Sequence, residues 1–434
     1  MRRSRSSRRP RTCTCRWWRP SQSGLGRASR RSSTAWTECR PAASSARPSA
    51  VTRAAAGRAA EMIEESKLLV PGEFDLIDWD IPRVDGDWRS VDFHDPDDER
   101  IAALREEFGV EEAVEGAQGD LSEIRALKRW VRSRWDHGWS FAHQTVEDAL
   151  DIMREAADGH QFNCGHYSTV FVACAAALGI PARRIGLGLG NCSFPRGHEV
   201  GNIGHCVAEA WCNEIGGWMV VDCDLNLHYE RDGVPVRALD VHDAWLSGDR
   251  EALTPVYEEP AFVVPCGQTV EILGELSPEC RGFEDEAVAL KFERFGRNDV
   301  LDYYARLRFY GQPTREWLDR RLPPTFVRHF APTPTVRYTQ NEQEVYPTLN
   351  CVRAGTAAAW SEGGASLTVI LEHCMPWFER YEARIDGGPW AQCDESFTWA
   401  MNEGANVLEV RAINRRGRPG PVSRLEVAYA KPVW

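Results

Sequence analysis

The segment from Cys164 to Leu178 is apolar nearly all round: Val170, Phe171, Val172 and Ala173 precede the run Ala175 to Ala177, and Gly179 and Pro181 then stop it. A helix without a polar face has to be enclosed on all sides, so the chain must build other elements around it. The sequence supplies them before and after. Upstream, the Asp-Pro-Asp-Asp run at 95–98 caps a helix starting near Glu99, and Leu121, Ile124, Leu127 and Val131 recur at helical spacing up to Trp135. Downstream, Ile185 to Gly190, Gly204 to Asn213 and Trp218 to Leu225 read as strands, the last two joined by a Glu-Ile-Gly-Gly turn at 214–217. Helices followed by an antiparallel sheet predict an α+β fold.

Residues 62–332 are read as one domain built on this core. From Met62 to about Asp97 the chain is acidic and broken by Pro71, Pro82 and Pro96, an irregular lead-in wrapping its neighbour. Between about 251 and 332 the pattern is mixed, with helical stretches predicted around Val300 to Tyr310 and around Trp317, an extension packed on the core. Past Pro332 the composition changes to short alternating runs, Ser366 to Glu372, Tyr381 to Ile385, Phe397 to Ala400 and Val407 to Ile413, between Gly-rich turns. Residues 333–434 therefore suit one β-sandwich. The turns at Asp386-Gly387-Gly388 and Gly404-Ala405-Asn406, with the strand Leu408 to Ile413 running into Asn414 and Gly417, resemble an immunoglobulin or fibronectin type III-like module.

The net charge of -12 conceals an uneven distribution. Residues 1–60 hold 15 Arg, no Lys and one acid, Glu38, so this arm carries +14 and the rest of the 434-residue chain -26. The acidic body disfavours nucleic acid as the main partner. The arm at 1–61 is Arg, Ser, Ala and Pro with almost no aliphatic run, and is expected to be disordered. Three readings compete for it: an RNA or membrane-surface arm, with Arg2, Arg3, Arg5, Arg8 and Arg9 near Trp17 and Trp18; a transit-like segment; or a tail without function ahead of a true start at Met62. No apolar run approaches the roughly 18–20 residues of a membrane span, so a soluble, cytoplasmic protein without a membrane partner is expected. The 14 Cys show no framework spacing and no CxxC pair, which argues for reduced, buried thiols.

Chemistry concentrates around the apolar helix. A thiol in the first turn of a helix has its anion favoured by unpaired N–H groups and the helix dipole, and Cys164 sits there. A strand can hold a general base beside it: His205, Val207, Glu209 and Trp211 share one face of a strand, and Cys206, Ala208, Ala210 and Cys212 the other. The next strand offers Trp218, Val220, Asp222 and Asp224 on one face, so an acid is available to orient the imidazole. Cys174, Cys206 and Cys212 read as inert core thiols, and Trp211 and Trp218 as core or cleft wall. Glu209 reads as a solvated or ion-paired strand residue, and Arg183-Arg184 as an anchor of the helix-to-strand connection or a substrate carboxylate site. A competing reading gathers His160, Cys164, His166, His198 and His205 around a metal, although their spacings match no common zinc pattern.

These residues resemble the transglutaminase-like superfamily, whose fold is related to papain-like thiol proteases. The resemblance runs from Cys164-Gly165-His166-Tyr167 through Leu178-Gly179-Ile180-Pro181-Ala182-Arg183 and His205-Cys206-Val207-Ala208-Glu209-Ala210-Trp211 to Gly216-Gly217-Trp218-Met219-Val220-Val221-Asp222. It implies a papain-like core with Cys164 as nucleophile, His205 as general base and acid, and Asp222 as orienting carboxylate, without metal or organic cofactor. The family often places Pro or Thr after that Asp, whereas Cys223 and Asp224 follow here, so Asp224 stays open as the third member. The Cys164 N–H is one oxyanion donor; Gln161, Asn163 and Trp139 compete for the second. The expected activity is acyl transfer on amide bonds of a protein or peptide substrate, as hydrolysis or as transglutamination. The alternative is an inactive core whose sandwich binds carbohydrate or protein through aromatics such as Trp377, Trp390 and Trp399.

Overall fold

The computed structural model describes residues 74–138, 146–187, 205–259, 300–304, 314–318, 336–361 and 364–430. The predicted arm at 1–61 lies outside them, as do His198 and Trp139.

The described chain begins with strand β1 (Phe74–Asp80), followed by helices α1 (Glu99–Phe108), α2 (Asp120–Arg132), α3 (Ala149–Ala157) and α4 (Cys164–Ala177). Asp98 caps α1 by accepting from the Arg100 N–H, and Gly109 ends it in the left-handed conformation that a residue without Cβ adopts at no steric cost. Asp148 caps α3 in the same way through Leu150 and Asp151. On α2, Ile124, Leu127 and Val131 are buried, as their spacing predicts. Every residue of α4 from Tyr167 to Ala177 is buried, which is what an apolar helix requires.

Strands β2 (Ala182–Leu187), β3 (His205–Cys212) and β4 (Gly217–Val221) form an antiparallel ladder beside α4. Their faces divide the core in two. Ala208, Ala210, Cys212, Met219, Val221 and Cys223 join the cluster containing α4 and its three partner helices, so small side chains let the helix lie close to the sheet. Val207, Trp211, Trp218 and Val220 belong to a second cluster with Leu227, Tyr229 and Leu239, which makes both tryptophans core residues. Its far side is closed by strands β5 (Leu227–Arg231), β6 (Val234–Pro235) and β7 (Thr254–Tyr257) and by helix α5 (Ala238–Ser247).

Two helical expectations fail. Val300–Tyr304 and Thr314–Leu318 are strands, β8 and β9, and β8 pairs antiparallel with β2. The open edge of β2 presents unpaired N–H and C=O groups, and satisfying them overrides a local helical pattern. Strand β10 (Val336–Thr339) adds parallel to β9, so the core sheet runs β10-β9-β8-β2-β3-β4 and draws on residues beyond 332.

After the short helix α6 (Glu342–Val345), strands β11 (Val352–Ser361), β12 (Gly364–His373), β13 (Phe378–Ile385), β14 (Ala391–Cys393), β15 (Ser396–Ala400), β16 (Gly404–Asn414) and β17 (Ser423–Tyr429) make a sandwich. One sheet is β11-β12-β15 and the other β1-β17-β16-β13-β14. Val369, Leu371, Trp399, Leu408, Val410 and Val427 fill the space between them. The lead-in read as irregular thus contributes β1, which pairs with β17. The turn expected at Gly404-Ala405-Asn406 is instead the first part of β16. No helix among the described residues is long and apolar enough to cross a membrane.

Candidate active site

Cys164 is the first residue of α4, and the Asn163 side chain caps the helix by accepting the Gly165 N–H at 2.9 Å. Half-buried and at the positive end of a 14-residue helix, its thiol sits where an anion is favoured. The helix end is pinned from below. Tyr167 stacks on Trp135 with ring centroids 4.4 Å apart and donates to the Trp135 carbonyl, while buried Arg132 donates to both Tyr167 Oη and that carbonyl at 2.9 Å. On the other side Arg184 Nε donates to Ser168 Oγ at 3.1 Å, and Ser168 donates to the Gly165 carbonyl at 2.9 Å, which ties β2 to the first turn.

His205 opens β3 and is buried. It shares its face with Val207 and Trp211, away from the body of α4, yet its ring nitrogen, Cys164 Sγ and an Asp224 oxygen all lie within 4.8 Å of one another. The first position of the strand therefore matters as much as the face, because there the strand passes the end of the helix. Its Nε2 is 2.7 Å from Asp222 Oδ2, and Asp222 Oδ1 accepts the Leu225 N–H at 3.0 Å. The carboxylate is thus fixed from both oxygens.

Asp224 was an alternative partner for His205 on the argument that alternate strand residues share a face. The strand ends at Val221, and residues 223–226 form a turn closed by Asn226 in the left-handed region, φ 55°. The alternation stops with the strand, and Asp224 Oδ1 pairs with His137 Nδ1 at 2.7 Å. His137 is a residue that sequence reasoning passed over. It is buried, just beyond the end of α2, and bridged to Phe162. A solitary His in a connecting segment carries no periodic signal; only its position after a helix end marked it.

The other candidates separate from the thiol. Glu209 is fully buried: Oε2 accepts from Arg183 Nε and Nη2 at 3.0 and 2.7 Å, and Oε1 accepts from Tyr346 Oη and from the Ala238 N–H at the start of α5. It is ion-paired rather than solvated. Arg183 also lies 4.1 Å over Trp218, which binds it to the framework. Of the five residues in the metal reading, His160 pairs with Glu155 at 3.5 Å and His166 Nδ1 faces Asn163 Oδ1, so neither is in the group around the thiol. Burial first and then Arg184 push His166 down to about 4, which keeps it neutral near pH 7. Burial likewise pushes the Cys174 and Cys223 thiols well up and Cys212 to about 11. Gln161 abuts Gly138, where its side chain occupies the space a Cβ would need.

Residues 109–223 match the family model of the transglutaminase-like superfamily. This stretch is a transglutaminase-like domain. No curated protein sequence matches the chain significantly. Among solved structures, the crystal structure of red sea bream transglutaminase aligns with 86% of this chain and 79% of its own, at 12% identity and a TM-score of 0.23. The transglutaminase-like core, its mixed helix and sheet content and the Cys, His, Asp grouping fit thiol-dependent acyl transfer.

Proposed function

We propose that the protein cleaves amide bonds through a covalent thioester on Cys164. The observation that carries this reading is His205, held at 2.7 Å by Asp222 on one nitrogen and within 4.8 Å of the half-buried thiol at a capped helix start. His205 takes the thiol proton, and the sulfur attacks the amide carbonyl. The developing oxyanion is stabilised by the Cys164 N–H and the positive helix end. His205 then protonates the leaving amine, and Asp222 holds the imidazolium in orientation. Water attacks the acyl-enzyme with His205 as base and regenerates the thiol. Hydrolysis of a protein or peptide substrate is favoured over transfer to an amine, because transfer adds the demand that water be kept out.

The sandwich offers little to the binding-module alternative. Trp399 is fully buried, and Trp390 is covered by Arg384 and Arg411, 4.7 and 4.2 Å from its ring. Trp377 packs edge-on against Phe93.

The test is iodoacetamide labelling at pH 7 followed by peptide mass spectrometry, with amide hydrolysis measured on a peptide panel. Cys164 should react at least tenfold faster than Cys174, Cys212 and Cys223, and labelling should abolish turnover. Cys164→Ser should lose at least about 10³-fold in rate with the fold intact, and Asp222→Asn about 10²-fold or more. Full turnover after stoichiometric labelling of Cys164 would refute the assignment.

A further inference from the structure

The donors that converge at the end of α4 are a thiol sulfur, an imidazole nitrogen and a carboxylate oxygen, mutually within 4.8 Å. Two of the three are held by an outer partner. Asp222 lies 2.7 Å from His205 Nε2, and His137 Nδ1 lies 2.7 Å from Asp224 Oδ1. A ligating imidazole or carboxylate fixed by a second hydrogen bond is the usual construction of a metal site. The reaction requires Asp222, but it assigns nothing to the Asp224–His137 pair.

We propose that Cys164, His205 and Asp224 bind one zinc ion, and that this ion reversibly shuts the acyl-transfer site. The sulfur and nitrogen donors select a borderline-soft ion over magnesium or calcium, which favour all-oxygen shells. Three protein ligands suit a four-coordinate zinc with one position open. Tetrahedral zinc needs ligand atoms roughly 3.4–3.7 Å apart given bond lengths of about 2.0–2.3 Å, so side chains within 4.8 Å must close in by only about 1 Å. Binding displaces the thiol proton: Zn²⁺ and the Cys164 thiol give a zinc thiolate and H⁺, with no change of oxidation state. Within the coordination shell the +2 ion offsets the thiolate and the Asp224 carboxylate beside a neutral His205, while Asp222 stays hydrogen-bonded to the imidazole. Half-buried Cys164 provides the way in. The binding stands on the donor geometry, whereas the inhibition rests on the function proposed above.

The experiment is a zinc titration of the full-length protein by calorimetry, with cobalt(II) as an optical probe and protection of Cys164 from iodoacetamide as the site readout. One ion per chain should bind with a dissociation constant at or below about 1 μM. Cobalt should give a thiolate-to-metal charge-transfer band, and zinc should slow Cys164 labelling at least tenfold until EDTA restores it. Cys164→Ser should remove the band. Asp224→Asn, and His137→Gln acting through Asp224, should weaken zinc about 10- to 100-fold in protein whose circular dichroism is unchanged. Unprotected Cys164, a band that survives in Cys164→Ser, or unchanged affinity in folded Asp224→Asn would overturn the site. The two readings fail separately: full turnover after alkylation sinks the acyl-transfer mechanism and leaves zinc protection standing, whereas alkylation that inactivates without zinc protection sinks only the zinc site.

Discussion

The transglutaminase-like core and the C-terminal sandwich treat buried polarity in opposite ways. The core encloses charge: Lys128, Arg132, Arg183, Arg184, Glu209, Asp222 and Asp224 are all buried there, with His137, His205 and His228. The sandwich buries amides and hydroxyls, Asn406, Asn414, Ser366 and Ser423, and keeps its charges in cross-strand pairs on the outer faces, such as Arg411 with Glu382 and Arg384 with Glu409. A buried ion pair seldom stabilises a fold better than a well-packed apolar pair, so its use throughout one half of the molecule points to a task other than stability. In the core these buried groups fix the placement of strands and helices against one another. Arg183 and Glu209 show how: they face each other across β2 and β3, and Glu209 also holds the first residue of α5.

Removing one partner of such a pair leaves the other charge buried and alone. Glu209→Ala should therefore destabilise the protein by about 3–5 kcal/mol in urea unfolding, because Arg183 loses two hydrogen bonds and α5 loses the acceptor at Ala238. A loss below about 1 kcal/mol would mean the core tolerates charge as the sandwich surface does, and the contrast would fall. A double change, Arg183→Met with Glu209→Leu, should recover much of the loss.

Acid should act on both halves through one histidine in each. Burial first, then Lys128, lowers His228 to about 4, and burial first, then Arg89, lowers His373 to about 4. His228 Nδ1 faces the Lys128 ammonium and its Nε2 faces Glu230, while His373 Nδ1 accepts the Met375 N–H and its ring stacks on Phe378. Each group is harder to protonate folded than unfolded. Above about pH 6.5 it is neutral in both states and costs nothing; as pH falls toward 4 the unfolded chain binds protons first, and stability declines. The loss approaches roughly 3 kcal/mol at fully buried His228, is smaller at His373, which keeps part of its contact with water, and levels off below pH 4. Calorimetric melts from pH 7 to 4 should show it, and His373→Gln should flatten the profile. An unchanged slope in that variant would remove the sandwich from the account.

The difference between the halves also governs what could be read from the sequence. The helix carrying Cys164 was legible because its apolar run, its Gly179-Pro181 stop and its Asn163 cap are local. The Asp222 position was legible because β4 preserves alternation as far as Val221. One residue later the alternation ends, so Asp224 and its partner His137, which approaches from 87 residues away, left no periodic trace. Strands β8 and β9 were hidden for a related reason. Strand β8 is set by pairing with β2, more than a hundred residues earlier, and β9 by pairing with β8; no local pattern records a distant sheet edge. The sandwich strands were easier, since their alternation and turns are set within each hairpin, although β1 joins β17 from the other end of the chain.

Within the sandwich, Asn406 provides the neutral counterpart of Glu209. Its amide donates to the carbonyls of Asn402, Gly404 and Val427, and its oxygen accepts the Asn402 N–H at 2.7 Å. Asn406→Ala strands buried backbone groups without stranding a charge, so the expected loss is about 2 kcal/mol, below that of Glu209→Ala. Equal losses would show that hydrogen-bond number, rather than charge, separates the two regions.

The smallest effect belongs to the outer face of the sandwich. Glu382 accepts from Arg380 and Arg411 at 2.8 Å each, and these pairs together hold the Glu382 carboxyl below its usual range against the opposing effect of partial burial. Both guanidinium groups remain about a quarter to a third exposed, at 25% and 31%, so water stabilises them when the carboxylate is removed. Glu382→Ala should then cost about 0.5–1 kcal/mol, and the cost should shrink in 1 M NaCl, where charges are screened within about 3 Å. Glu209→Ala, whose charges are enclosed, should be nearly indifferent to the same salt. If the two variants respond alike to salt, the electrostatic distinction between core and sandwich is wrong. If only Glu382→Ala responds, the buried pairs of the core owe their energy to desolvation and hydrogen bonding, the same conditions that fix His205 against Asp222.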